Sequence, residues 1–168
     1  RLVDGAHHQQ RRRASGDTMP ACSSPWSRAW GPGCRARGPG GVAADCGSLF
    51  EIGWQLRGLE EFMMDLAVNP SIPLYIMDRL CEIYLENLRR VLEADAAAGG
   101  RLDMVYFYDD IGTQNSLLIS RKMWKEYVRP YHVKLIDLAH QYGKPVMYHT
   151  DGAIYPLIPD FIEMGVDV

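Results

Sequence analysis

The chain has 168 residues, 47% of them hydrophobic and 23% charged, with a formal net charge of −3. That balance fits an ordinary globular chain of about one domain and argues against nucleic acid or an anionic membrane surface as the main partner, since both call for a basic face. No apolar run is long enough for a membrane span, and the first residues carry no apolar h-region, so a cytoplasmic protein is the expectation.

The averages hide a seam. Residues 1–47 hold seven arginines and no lysine, three aspartates and no glutamate, eight of the 16 glycines and three of the four cysteines. Residues 48–168 carry a net charge of −7, against +4 before them. The stretch from Gly31 to Gly41 has no helical or strand period, so residues 1–47 are expected to form a disordered leader. Arg11, Arg12 and Arg13 with His7 and His8 suit an acidic partner, but a solvated charge cluster is the commoner outcome. Cys22, Cys34 and Cys46 lie twelve apart with no CxxC pair, which argues against a zinc module, and an odd set of three argues against a disulfide framework. The Arg/Gly/Pro/Ala bias also looks like GC-rich sequence read outside its natural frame. The chain starts at Arg1 and stops within the apolar segment Val166–Val168, so it is read as a fragment.

From Ser48 onward the pattern alternates. Ser48 to Gly53 is short, apolar and ended by glycine, which predicts a strand entering a loop. Leu59, Phe62, Met63 and Leu66 repeat at helical spacing up to Asn69-Pro70. Ser71 is expected to cap the next helix and Pro73 to open it, with Ile76, Leu80, Ile83, Tyr84, Leu88 and Val91 as its apolar stripe and Cys81 in its core. Leu102 to Tyr108 predicts a second strand. Ser120 caps a helix running to about Gln141, kinked at Pro130. Pro145 to His149 is a third strand, Tyr155 to Met164 a short helix stopped by Gly165, and Val166 begins a fourth strand. Apolar strands alternating with amphipathic helices predict an α/β fold of parallel βαβ units, about three and a half of them.

In such a fold the chemistry sits where strands end. That rule selects Trp54, Gln55 and Arg57 after the first strand, Asp109 and Asp110 after the second, and His149 and Asp151 after the third. Two acids ending an apolar strand are costly unless used or paired. In His149-Thr150-Asp151-Gly152, ligands two apart can both turn inward where Gly152 breaks the strand, and imidazole with carboxylate suits Zn²⁺ or another divalent ion. Equally, His149 can be a general acid or hydrogen-bond donor oriented by Asp151, or a histidine tied to a carboxylate for structure alone. Arg57 can clamp a substrate carboxylate or form a structural ion pair. His132 and His140, on the long helix, read as surface or packing residues.

The run Tyr108-Asp109-Asp110-Ile111-Gly112-Thr113-Gln114, then Leu118-Ile119-Ser120 and Trp124 to Tyr131, resembles the uroporphyrinogen decarboxylase family. So does Tyr148-His149-Thr150-Asp151-Gly152-Ala153-Ile154-Tyr155, with Leu157 to Asp160 and Glu163 to Asp167 behind it. The likeness covers about residues 48–168. It implies the middle of a (β/α)8 TIM barrel, in a parent that is often a homodimer. The decarboxylases of the family convert uroporphyrinogen III to coproporphyrinogen III in haem biosynthesis without metal or cofactor. Their pyrrole-binding aspartate and carboxylate-binding arginines fall outside this chain. A second branch comprises methyltransferases acting with corrinoid proteins and a zinc held by His-x-Cys plus a later cysteine; here His149 fits, but Asp151 stands where the first cysteine would be. The strand-end rule and the resemblance together give Asp109, Asp110, His149 and Asp151 as catalytic candidates, Trp54, Arg57, Tyr108 and Gln114 as substrate-binding candidates, and His149 with Asp151 as candidate metal ligands. Decarboxylation is the conventional reading and methyl transfer the runner-up. A truncated chain without activity is the third reading, and the chain alone is expected to be inactive.

Overall fold

A computed structural model describes residues 41–168. The expectations placed on residues 1–40, including leader disorder, the Arg11–Arg13 cluster and two of the leader cysteines, lie outside the described residues. In chain order the elements are β1 (Ala43–Asp45), α1 (Phe50–Arg57), α2 (Leu59–Val68), α3 (Ser71–Ala97), β2 (Met104–Tyr108), α4 (Arg121–Met123), a π-helical turn (Trp124–Val128), α5 (Arg129–Gln141), β3 (Val146–His149), a 3-10 turn (Tyr155–Leu157) and α6 (Ile158–Met164). The three strands form one parallel sheet in the order β1-β2-β3, with Ala43 paired to Met104 and Val105 to Val146. The fold is mixed helix and parallel strand, as the alternation predicts. Among the described residues no helix is long and apolar enough to cross a membrane.

Two elements differ from the sequence reading. The first strand is Ala43–Asp45, inside the range assigned to the leader, and Ser48–Gly53 is not a strand. A short apolar run cannot by itself choose between strand and helix. The choice is made from a distance: the Asp109 carboxylate accepts the amides of Leu49 and Phe50, both at 3.1 Å, and of Glu51 at 2.7 Å. Those are the orphan donors of a helix start, so α1 begins there. Gly53 then permits close packing, since a Cβ at that position would lie 3.0 Å from the Phe62 ring of α2. The second difference is at Ser71, which lies inside α3 and supplies no side-chain cap; its amide instead donates to Asn69 Oδ1 at 3.4 Å.

The remaining elements form where their patterns place them, but the stripe of α3 is shifted: Ile83 and Val91 are exposed, and Met77, Cys81, Leu88 and Leu92, spaced along one helical face, are the residues that meet the core. Ser120 caps α4 by accepting the Met123 amide at 3.2 Å. The disturbance expected at Pro130 takes the form of the π turn ending just before it, where the Arg129 amide reaches back to the Trp124 carbonyl. Proline lacks the donor and its ring crowds the preceding turn, and widening that turn by one residue relieves both. Gly165, at φ 88°, ends α6. Beyond it Val168 donates to the Val146 carbonyl at 3.1 Å and accepts the Tyr148 amide at 3.0 Å, the exchange expected of a parallel neighbour to β3.

The sheet has one face against helices and one that carries the mouth. Val105, Phe107, Val146 and Tyr148 are buried with Phe50, Leu88, Trp124, Val128, Leu135 and Ile136 in a single core. The opposite face presents Tyr106 and Tyr108, rings stacked at 6.1 Å, beside Met147 and His149 in register. Cys81 is buried in that core, as expected for a helix-packing cysteine. Asp160, 1% exposed, ties α6 to α4: it accepts Arg121 Nε at 2.6 Å and Lys125 Nζ at 3.0 Å.

The Arg121 hydrogen bond, with Lys125 beside it, holds the Asp160 carboxyl down to about 2. A depressed carboxyl stabilises the fold at pH values above its unfolded titration, and that contribution is lost as pH falls through the folded value. Asp160→Asn should therefore lower stability at pH 7 by about 1 kcal/mol, discounted because both cations are half-exposed. The deficit relative to the parent should shrink as pH falls from about 4 toward 2, read from urea midpoints across that range.

Candidate active site at the carboxyl edge of the sheet

The loops that follow β2 and β3 are joined along their length. The Asp109 amide donates to the His149 carbonyl at 3.1 Å, and the Ile111 amide to Thr150 Oγ1 at 3.2 Å. In the other direction the Asp151 amide donates to Asp110 Oδ1 at 3.0 Å, and the Ala153 amide to the Thr113 carbonyl at 2.7 Å. Two glycines make this approach possible. A Cβ on Gly112 would lie 2.6 Å from the Asp151 carbonyl oxygen, and one on Gly152 would lie 2.6 Å from Gly112 backbone carbon. Gly152 also sits at φ 89°, a conformation that favours glycine.

Asp109 and Asp110 part company here. Asp109 is fully buried and turned into the core. Besides the three amides of α1, it accepts the hydroxyl of Ser48 and His132 Nε2, the latter at 2.6 Å. Its oxygens are occupied by the fold, so of the two acids Asp110 is the one presented to the mouth. One ligand atom from each of Asp110, His149 and Asp151 lies within 4.8 Å of the others. His149 Nε2 stands 3.7 Å from Asp151 Oδ1, and both side chains are exposed. A carboxylate from one strand end, an imidazole from the next and a second carboxylate two residues on thus converge as the strand-end rule predicts.

The substrate-binding candidates are distributed otherwise. Because Ser48–Gly53 is not a strand, Trp54, Gln55 and Arg57 lie on α1 and not on a strand-end loop. Trp54 packs against the core. Arg57 Nε is engaged by Asp65 of α2 at 2.9 Å, the structural ion pair that was one of its two readings. Gln114 is exposed in the turn between Gly112 and Leu117. Tyr108 pairs with His149 in the sheet, and burial, then Asp45, Glu51 and Asp109, pushes its phenol up.

The sequence reading gives Glu51 no place at the mouth and takes His132 only as a surface or packing residue. Glu51, read as a strand residue, stands at the start of α1 beside Asp110. Burial, then the charges of Asp110 and Asp109, raises its carboxyl above the ordinary range, and Gln55 Nε2 donates to it at 2.9 Å. Of its two readings His132 takes packing: it is 3% exposed, against Asp109 and the Tyr148 ring. His140, in contrast, is half-exposed and meets Asp167 Oδ2 at 3.0 Å. A cap-competent serine before an apolar run could have signalled a helix start at Glu51; nothing local marks His132.

The family model for uroporphyrinogen decarboxylase (URO-D) matches residues 42–168, more than half of the chain and almost all of its described part. The chain belongs to the uroporphyrinogen decarboxylase family. A search of curated proteins and one of solved structures found no match. The match begins one residue before β1, so the strand hidden in the Arg- and Gly-rich region is part of the URO-D domain. Asp110, His149 and Asp151 all fall within it.

Two substitutions test how this edge is built. Asp109→Ala strands three amides, a hydroxyl and an imidazole in the core, and should cost more than about 3 kcal/mol, read by urea denaturation. Gly152→Ala combines a disfavoured φ with a backbone clash against the neighbouring loop, and should cost about 2 kcal/mol or more.

Proposed function

We propose that this URO-D domain serves the removal of carboxyl groups from a tetrapyrrole of the uroporphyrinogen class, as one part of a (β/α)8 barrel in a cytoplasmic protein. The reading is carried by family membership together with the acidic mouth in which Asp110 and Asp151 flank His149 and Glu51 stands beside Asp110. In such a reaction a pyrrole carbon takes up a proton and the ring becomes a cation. The bond from the acetate methylene to its carboxylate then breaks, its electron pair flows toward the ring, and CO2 leaves. A second proton converts the methylene into a methyl group, and the ring proton is released. Fixed carboxylates favour the cationic ring by far more in a site that excludes water than in bulk solvent. His149, within reach of Asp151, is the proton-exchanging group. Tyr108, its phenol pushed up and hence neutral at pH 7, offers a donor and an aromatic wall beside it. This reaction needs no cofactor, and the same resemblance implies a parent of a kind that is often a homodimer.

A second reading is favoured by one observation, the 4.8 Å grouping of ligand atoms from Asp110, His149 and Asp151. One imidazole nitrogen and two carboxylate oxygens fit a divalent ion such as zinc, and oxygen in place of thiolate makes the set harder. An ion held by these three residues would supply Lewis acidity for methyl transfer with a corrinoid protein. Asp110 and Asp151 would balance its charge, and the amide of Asp151 would keep Asp110 in place.

Turnover and metal content separate the two readings in a protein that completes the barrel around this domain. Coproporphyrinogen formation should proceed with a chelator present and fall by about tenfold or more in His149→Ala and in Asp151→Ala. Parental turnover in both variants would make the pair structural. A bound metal whose removal abolishes activity would transfer the function to the methyltransferase reading. The isolated chain, whose described residues contribute three strands to the wall of such a pocket, should turn over neither substrate.

A further inference from the structure

His132 is remote in sequence from the mouth, yet it touches the residue immediately before each of two mouth side chains. Its Nε2 lies 2.6 Å from Asp109 Oδ2, and Asp109 precedes Asp110 at the end of β2. Its ring stands edge-on to Tyr148, with centroids 5.2 Å apart, and the Tyr148 hydroxyl is 3.5 Å from the same nitrogen. Tyr148 precedes His149 at the end of β3. Neighbouring residues on an extended chain project to opposite sides. Whatever pins the buried member of each pair therefore sets where the mouth member stands.

The chemistry of the contact has one direction. An ionised Asp109 can only accept, and Ser48 with the amides of Leu49, Phe50 and Glu51 already donate to it, so Nε2 must donate as well. Burial, then Asp109 and Asp110, pushes the Tyr148 phenol well up, which keeps that ring neutral. His132 Nδ1 has no hydrogen-bond partner, so Nε2 is the atom through which the side chain acts. Removing His132 would still leave Asp109 its four donors at the start of α1. The cap of α1 therefore survives the loss, and a variant at His132 should fold.

We propose that His132 is a positioning residue: through Asp109 and Tyr148 it fixes Asp110 on one strand and His149 on the next at their working separation. The proposal rests on the Asp110–His149–Asp151 group being the working part of the mouth. A purely structural histidine would contribute stability and nothing else.

The test uses the chain as it stands with His132→Leu and His132→Met, which fill the space without a donor, and His132→Gln, whose amide can reach the Nε2 position. Backbone amide exchange is read by NMR at Asp109, Ile111 and Asp151, whose N–H groups join the two loops, with Val105 in the middle of β2 as the internal control. The donor-free variants should speed exchange at the three loop amides by about tenfold relative to Val105, with glutamine within about threefold of the parent. Cobalt(II) titration, with Asp110→Asn as reference, should show affinity weakened roughly 10- to 100-fold in the donor-free variants and recovered in the glutamine variant. Parental loop exchange in whichever donor-free variant folds, or an equal acceleration at Val105, would overturn the proposal. A parent that binds no cobalt yet shows the loop effect would remove the metal reading and leave the positioning role standing.

Discussion

A carboxylate at zero exposure is the constraint on which the rest of this domain depends. Taking an ionised group out of water costs several kcal/mol unless its oxygens are satisfied, and Asp109 meets that requirement with a hydroxyl, three amides and an imidazole. Those donors come from the start of α1 and from α5, while its own amide is tied to the end of β3. Four elements therefore converge on one residue. Ser48 is buried for this reason, and residues 50–53 coil where their pattern suits a strand. With Asp109 turned inward, Asp110 is left facing the opening.

What could be read from the sequence, and what could not, follows from the range of the interactions. The strands at 104–108 and 146–149 were legible as apolar runs set between turn signals, and the long helices by a period sustained over many residues. The first strand was not: Ala43-Ala44-Asp45 is short, made of small residues, and adjoins a glycine- and arginine-rich stretch, so its identity comes from pairing with β2. The grouping of Asp110, His149 and Asp151 was legible, because strand ends converge in a parallel sheet and Gly152 marks the break, whereas Trp54, Gln55 and Arg57 were placed by a strand that is the start of α1. Asp109 and Asp110 could not be told apart, since which of two adjacent acids faces out depends on the residue where the strand leaves the sheet. The partner of His132 could not be read, because Asp109 lies 23 residues upstream on another element.

The charges of the domain are sorted in space. Carboxylates gather at the mouth, where Glu51 is raised by burial and by its acidic neighbours. Several of the cations sit along α4 and the turn after it, where Arg121 and Lys125 bracket Asp160. A site built this way concentrates negative potential where strands end, and a species that gains positive charge there is favoured over one that does not. Aspartate in place of a thiolate at position 151 keeps that potential while offering a ligand suited to harder ions.

The widened turn before Pro130 carries a residue that the rest of the helix does not need for its length. The turn absorbs that residue locally, so loss of a single residue from 124–128 would restore ordinary pitch and leave the helix after it in phase. His132, Leu135, Ile136 and Ala139 would keep their places against Asp109 and the core, but the ring of Pro130 would again crowd the turn before it. Sequence drift among relatives can thus shed the extra residue most easily together with the proline. An alignment that opens a one-residue gap between Trp124 and Val128 would be describing the same mouth on a helix of ordinary pitch.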